Sequence, residues 1–358
     1  MKRCAPVNLK RFPNFDETVS RAQLVDVLPL THAARVWFRR IFRRFGLLLL
    51  GGVFLPAWAQ RPPLVHTGMA NASAAVRAGT NLFLTGADDD NVIKLYRSDV
   101  AGGPLAQFDA SPWLGLEGHS RDANIEGAAR IGDVVYWLGS HARNKDGRTR
   151  PNRQRLFATR ITEGTNGISL TLVGQPCQTL LNALTEAPQL ARFHLDEAAG
   201  RAPETEGGLN LEGLSAMPTG GLLLGFRGPV PEGKTLLVPL LNPVELMNGQ
   251  PPKLGEPILL NLGGLGIRDI AWTGREYFII AGNSGRGGTS QLWRWAGGEA
   301  NPKRIGHAPF HRLNPEGIAV FGSPEKPRLL IVSDDGNHND AAFHPFSGPM
   351  FRTVWVKP

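Results

Sequence analysis

An all-β fold, a single β-propeller, is predicted by three features of the 358-residue sequence: a hairpin pattern that recurs along the chain, abundant turn-forming residues, and a recurrence spacing near that of one four-stranded blade. The 43 glycines and 28 prolines favour tight turns. Hydrophobic residues make up 42% and charged residues 20%, which suits a buried core.

The hairpins begin at an acidic residue in four places: Glu126, Glu212, Asp269 and Glu316. A short strand follows each acid, then a turn rich in Gly or Pro, then a compact apolar run such as Val134 to Leu138, Leu222 to Leu224 or Leu329 to Val332. Strand, turn, strand at this length is a β-hairpin. In the first three copies the acid and the closing glycine (Gly139, Gly225, Gly282) are 13 residues apart. A fifth copy runs from Ser73 to Gly86 without an acid. The second strands are almost continuously apolar, as strands buried on both faces are.

Starts at 73, 126, 212, 269 and 316 lie 53, 86, 57 and 47 residues apart, against roughly 40–50 for one blade. The 86-residue interval has room for a degenerate blade containing Ile168 to Val173. Six blades are therefore favoured, and the spacing also admits seven. Gln291 to Ala296 and Arg155 to Ile161 read as outer strands, and Asn182 to Ala191 as a short helix or excursion. Met350 to Val356 is expected to close the ring against a blade near the start of the domain, leaving few open edges.

Residues 1–59 read as a leader, and 60–358 as one propeller domain. Arg35, Arg39, Arg40, Arg43 and Arg44 precede an apolar stretch from Gly46 to Pro56, and Ala57-Trp58-Ala59 forms a small-residue cleavage site. This is the layout of a cleavable signal peptide and predicts a periplasmic or secreted bacterial protein. Export would use the general secretory route or, given Arg39-Arg40-Ile41-Phe42, the twin-arginine route. An apolar stretch of about 11 residues is too short for a stable membrane span, which takes roughly 20. The net charge of +8 belongs almost entirely to the leader, so no basic footprint for nucleic acid remains. Cys177 is the only cysteine after the leader, which excludes an internal disulfide there. The sequence does not indicate an oligomeric state.

An acid that opens an inner strand lies opposite the residues that end its partner strand. Glu126 is thus expected beside Ser140 and His141, Glu212 beside Phe226 and Arg227, Asp269 beside Asn283 and Ser284, and Glu316 beside Asp334 and Asp335. Ala87 and Asp88 occupy this place in the first hairpin. Equivalent blade ends surround one axis, so Glu126, Glu212, Asp269 and Glu316 are expected to converge at one mouth of the channel. Converging carboxylates must hold protons, find cations or accept hydrogen bonds. A divalent cation is one solution, and an oxygen-rich set of this kind suits Ca²⁺. Asn-x-Glu-Gly occurs at Asn124, Asn210 and Asn314, which puts an amide and a carboxylate on one strand face. Asn124, Asn210, Asn283, Asn314 and Asp334 are candidate ligand contacts. His141 and Glu126 are candidate proton-transfer groups, and Arg227 and Arg268 candidate anion contacts. The runs Asp88-Asp89-Asp90-Asn91 and Asp334-Asp335-Gly336-Asn337-His338-Asn339-Asp340 do not match the EF-hand loop.

The stretches Asn124-Ile-Glu-Gly, Tyr136-Trp-Leu-Gly-Ser-His, Asn210-Leu-Glu-Gly-Leu-Ser, Gly266-Ile-Arg-Asp-Ile-Ala-Trp, Asn314-Pro-Glu-Gly-Ile-Ala-Val and Ser333-Asp-Asp-Gly resemble a bacterial exported family known only as a domain of unknown function. More distantly, the Glu-Gly strand starts resemble those of phytase-like esterase and gluconolactonase-type propellers. That resemblance implies metal-dependent hydrolysis of a small ester, lactone or phosphoester, with Glu126, Glu212 and Glu316 near the metal. A non-catalytic propeller that binds a ligand or partner in the cell envelope is the alternative.

Overall fold

Each hairpin read from the sequence forms the inner half of a four-stranded antiparallel sheet in the computed structural model, which describes residues 62–118, 121–165, 167–285, 287–336 and 348–358. The leader, with its proposed cleavage site, lies outside the described residues, as do residues 337–340 of the Asp334 run. No described helix is long and apolar enough to cross a membrane.

Blade 1 contains β2 (Ala72–Arg77), β3 (Leu82–Ala87), β4 (Val92–Arg97) and β5 (Ala106–Asp109). Blade 2 contains β6 (Ile125–Ile131), β7 (Val134–Gly139), β8 (Leu156–Gly164) and β9 (Gly167–Cys177). Blade 3 contains β10 (Asn210–Ala216), β11 (Leu222–Gly228), β12 (Thr235–Leu240) and β13 (Ile258–Leu260). Blade 4 contains β14 (Gly266–Trp272), β15 (Tyr277–Gly282), β16 (Gln291–Trp295) and β17 (Lys303–Ile305). Blade 5 contains β18 (Pro315–Ser323), β19 (Lys326–Ser333) and β20 (Met350–Val356), and its outermost strand is β1 (Leu64–Thr67). The inner strands β2, β6, β10, β14 and β18 each contact the next, and β18 contacts β2, so the ring is closed.

The described residues form five blades, not six or seven. The 86-residue interval hides no blade. Ile168 to Val173 belongs to β9, the outer strand of blade 2, paired with β8 in a long hairpin. Helices follow at Leu180–Glu186, Pro188–Phe193 and Leu195–Ala199. Their Leu180, Leu184, Leu190 and Leu195 enter the core between blades 2 and 3, so this segment gains its burial by packing on a seam rather than by strand pairing.

The apolar second strands behave as expected. Every residue of β11 is buried. The core falls into five clusters, one at each seam between neighbouring blades. Ring closure also follows the expectation for Met350 to Val356: Leu64 pairs with Thr353 and Thr67 with Met350. His66 of β1 packs among Phe83, Tyr96 and Phe351 and shares a 3.0 Å hydrogen bond with Thr353 Oγ1.

Candidate functional site at the axial mouth

A β-bulge interrupts each inner strand near its start. In β6, Ile125 faces Gly139 and Gly127 faces Leu138, so pairing skips Glu126. In the same way β10 skips Glu212 and β18 skips Glu316. A bulge re-aims the extra residue and bends the strand. The glycine after each of these acids meets a steric need. A Cβ at Gly127 would lie 2.7 Å from the Glu212 carbonyl oxygen, and one at Gly317 would lie 2.5 Å from that of Ser73. The Glu-Gly pair thus puts a carboxylate at the bulge and lets the next blade approach closely.

Blade 4 departs from the alignment read from the sequence. Ile267 faces Ala281 and Asp269 faces Ile280, so the skipped residue is Arg268, not Asp269. Asp269 instead ties inner strands together. Its Oδ1 accepts the Ile270 N–H at 2.8 Å and its Oδ2 the Ile318 N–H at 2.7 Å, and Leu214 supplies a third backbone donor. Blade 1 skips Ser73 and Ala74 between Ala72 and Ala75. Ser73 donates to Glu126 Oε2 at 2.7 Å.

The remaining charges pair across this mouth. Arg227 Nη1 donates to Glu212 Oε1 at 2.7 Å, and the same oxygen accepts Asn210 Nδ2 at 2.7 Å. Arg227 also donates to the carbonyls of Asn283 and Gly285, each at 3.0 Å, which joins blade 3 to the loop after β15. Arg268 forms an ion pair with Glu316. Asn314 Nδ2 donates to Glu316 Oε1 at 3.1 Å and to Asp334 Oδ2 at 3.3 Å. The Asn-x-Glu spacing therefore links amide to carboxylate in blades 3 and 5. In blade 2, Asn124 has a left-handed φ of 51° and donates to the Asp88 carbonyl at 2.9 Å instead. Asn283 contributes its carbonyl, and the residue is exposed.

Glu126 is buried and Asp88 half-buried, neither with an ion pair among the described residues, and Asp88 Oδ1 is enclosed without a hydrogen-bond partner. Burial pushes the Glu126 carboxyl well up, and the nearby Glu212 and Asp88 push it further. Burial raises Asp88 to about 7, with Asp334 and Asp89 adding to the effect. Asp334 is raised as well, chiefly by burial. Sequence reading placed Asp88 at the end of the first hairpin without giving it a role, because that hairpin lacks a leading acid. Ser73 was missed for the same reason, although it holds the equivalent place in the repeat.

His141 is 2% exposed and has a left-handed φ of 54°. Its Nδ1 hydrogen-bonds the Gly139 carbonyl at 2.7 Å, which leaves Nε2 buried and unpartnered. Burial lowers it to about 4, and Arg155 is the charged group that also acts on it. It is neutral near pH 7, and none of the mouth acids figures in its shift.

Three of the four carboxylates expected around a divalent cation already have partners, and Glu126 has only Ser73. Both Asp269 oxygens accept backbone N–H groups, Glu212 is engaged by Arg227 and Asn210, and Glu316 by Arg268. At Glu212 and Glu316, two guanidinium groups supply the positive charge that an ion would bring. Among the described residues no three His, Cys, Asp or Glu side chains group as metal ligands.

Fold and site together define a five-bladed propeller with an ionic axial mouth. The chain belongs to the family described as a protein of unknown function, DUF3616, whose model matches residues 162–342, just over half of the chain. No curated protein matches it. Among solved structures it is similar to the aldose sugar dehydrogenase of Streptomyces coelicolor, with 11% identity over 83% of this chain and 97% of that one and a TM-score of 0.42. It is also similar to the glutaminyl cyclase of Myxococcus xanthus, with 13% identity over 84% of this chain and 96% of that one and a TM-score of 0.41.

Proposed function

We propose that this protein is an exported propeller that binds a small polar molecule at the Glu–Arg mouth and hydrolyses an ester, lactone or phosphoester bond in it. The reading rests on one observation: two neighbouring carboxyl groups, the buried Glu126 and the half-buried Asp88, are both raised and have no ion pair among the described residues, with Arg227 close enough to act on Glu126. Uncompensated buried carboxyls cost stability and collect at functional sites. With Asp88 raised to about 7, one group of the pair holds a proton near neutrality while the other accepts one. The ionised group takes a proton from water, and the protonated group gives one to the leaving oxygen. Arg227 and Arg268 face the negative charge that develops on the reacting centre. Ser73 fixes the Glu126 side chain.

The test is a panel of small esters, lactones and phosphoesters with the wild type, Asp88→Asn and Glu126→Gln. Each substitution is expected to lower kcat by about 100-fold or more, the usual span of general acid–base catalysis. Chelator is expected to leave the rate unchanged. Turnover that survives both substitutions would refute the assignment. The non-catalytic reading has its own support, because Glu212 and Glu316 are already neutralised by Arg227 and Arg268. Saturable binding without turnover of any panel member would establish it in place of hydrolysis. Export is examined separately, by finding whether the chain reaches the periplasm and loses its leader near Ala59.

A further inference from the structure

The opposite mouth of the propeller, away from the acids, opens into a cavity of about 510 Å³. This is within the usual size of small-molecule sites, roughly 300–1,000 Å³. Its wall contains the last turns of the inner hairpins. Four residues beyond the bulge position, the five inner strands present Arg77, Arg130, Ala216, Trp272 and Val320, and all five line the cavity. The two arginines occupy adjacent blades, and the tryptophan stands on blade 4.

Both guanidiniums are fixed in the same way. Arg77 Nε donates to the Gly79 carbonyl and Arg130 Nε to the Gly132 carbonyl, each at 2.8 Å. Arg130 Nη1 also donates to the Arg77 backbone carbonyl of the preceding blade at 2.8 Å, which fixes the Arg130 side chain against the strand that carries Arg77. The turns do not need these arginines: the blade 3 and blade 4 turns close through Met217 and Thr273 backbone bonds with Ala216 and Trp272 in the equivalent places. Glu163 is the acid that lines this cavity, and it is exposed. Asp133 also acts on Arg130 but is ion-paired with Arg160, so two part-buried cations against Glu163 leave an excess of positive charge. A pre-oriented pair of guanidiniums matches the oxygens of a carboxylate or phosphate. Thr80 and Thr273 add hydroxyl groups to the wall, and Trp272 adds an aromatic one.

We infer that this mouth binds a sugar-sized organic anion, with its carboxylate or phosphate on Arg77 and Arg130 and its ring toward Trp272. The site is independent of the acidic mouth and of any hydrolysis there.

Calorimetry and thermal melting of the full chain with glucuronate, glucose 6-phosphate, inorganic phosphate and glucose test the inference. Both charged sugars are expected to bind at least tenfold more tightly than glucose and to raise Tm. The tighter of the two identifies carboxylate or phosphate as the preferred group. Arg77→Gln and Arg130→Gln are each expected to weaken both at least tenfold, and Trp272→Ala to weaken the sugars more than inorganic phosphate. Should Arg130→Gln fold poorly, Arg77→Gln and Arg130→Lys carry the same comparison. Glucose binding as well as its phosphate, anion affinity unaltered by loss of the guanidiniums, or no anion binding at millimolar concentration would overturn the inference.

Discussion

A histidine enclosed by aromatic rings cannot accept a proton without losing part of its surroundings. His66 lies among Phe83, Tyr96 and Phe351, and burial lowers it from 6.5 to about 4. Between those values the unfolded chain binds a proton that the folded one refuses. The resulting stabilisation is complete above pH 6.5 and is lost as pH falls toward 4. The difference in unfolding free energy between wild type and His66→Phe is therefore expected to grow with pH across this window, by up to about 3 kcal/mol. Urea titrations at several pH values measure it, and a pH-independent difference would contradict the prediction. The acids of the mouth were legible at the same scale only in part. Glu126, Glu212 and Glu316 stood out through the glycine that follows them. Arg268 and Asp269 exchanged their expected places because register shifts by one residue at a bulge leave no mark in composition.

Hairpins were the most legible elements, since turn residues separate each inner strand from an apolar partner and local chemistry decides both. What the sequence concealed was the bulge and its steric setting. Gly127 is tolerated for lack of a Cβ, because Glu212 and Leu214 of the next blade occupy the space that one would need. Gly127→Ala is expected to cost about 1–3 kcal/mol, as overpacking does. Gly164→Ala serves as the comparison: its added Cβ would have no neighbour nearer than 3.9 Å, and its effect should stay within about 0.5 kcal/mol. Equal losses from the two substitutions, in urea denaturation, would rule out close approach as the reason for the Glu-Gly pair. The segment at 180–199 was legible as a short helix or excursion over Asn182 to Ala191, but its place in the core was not. Its leucines are spaced for burial, and only tertiary packing decides whether such residues pair as strands or lie on a seam as helices.

Across the whole molecule, blade number was misread because that excursion and the long β8–β9 hairpin before it together stretch the interval from Glu126 to Glu212 to 86 residues, whereas ring closure by Met350 to Val356 was expected from the sequence. The opposite mouth was not legible, as Arg77 and Arg130 look like ordinary strand-end residues until five turns are brought around one axis. Removing the chain up to Thr67 should uncover β20 and the aromatic cluster around His66. A fall in Tm of roughly 5 °C or more is expected, since each kcal/mol is worth about 2–4 °C in domains somewhat smaller than this. Scanning calorimetry of the shortened chain would expose an error if its melting matched wild type. The partner of Leu64–Thr67 is made almost 300 residues later. During synthesis, then, a ribosome paused before Met350 would hold a nascent chain able to complete four sheets while the fifth has neither fastening. That species keeps unsatisfied strand edges exposed to other copies of itself, and its risk of aggregation ends only when the final strand emerges.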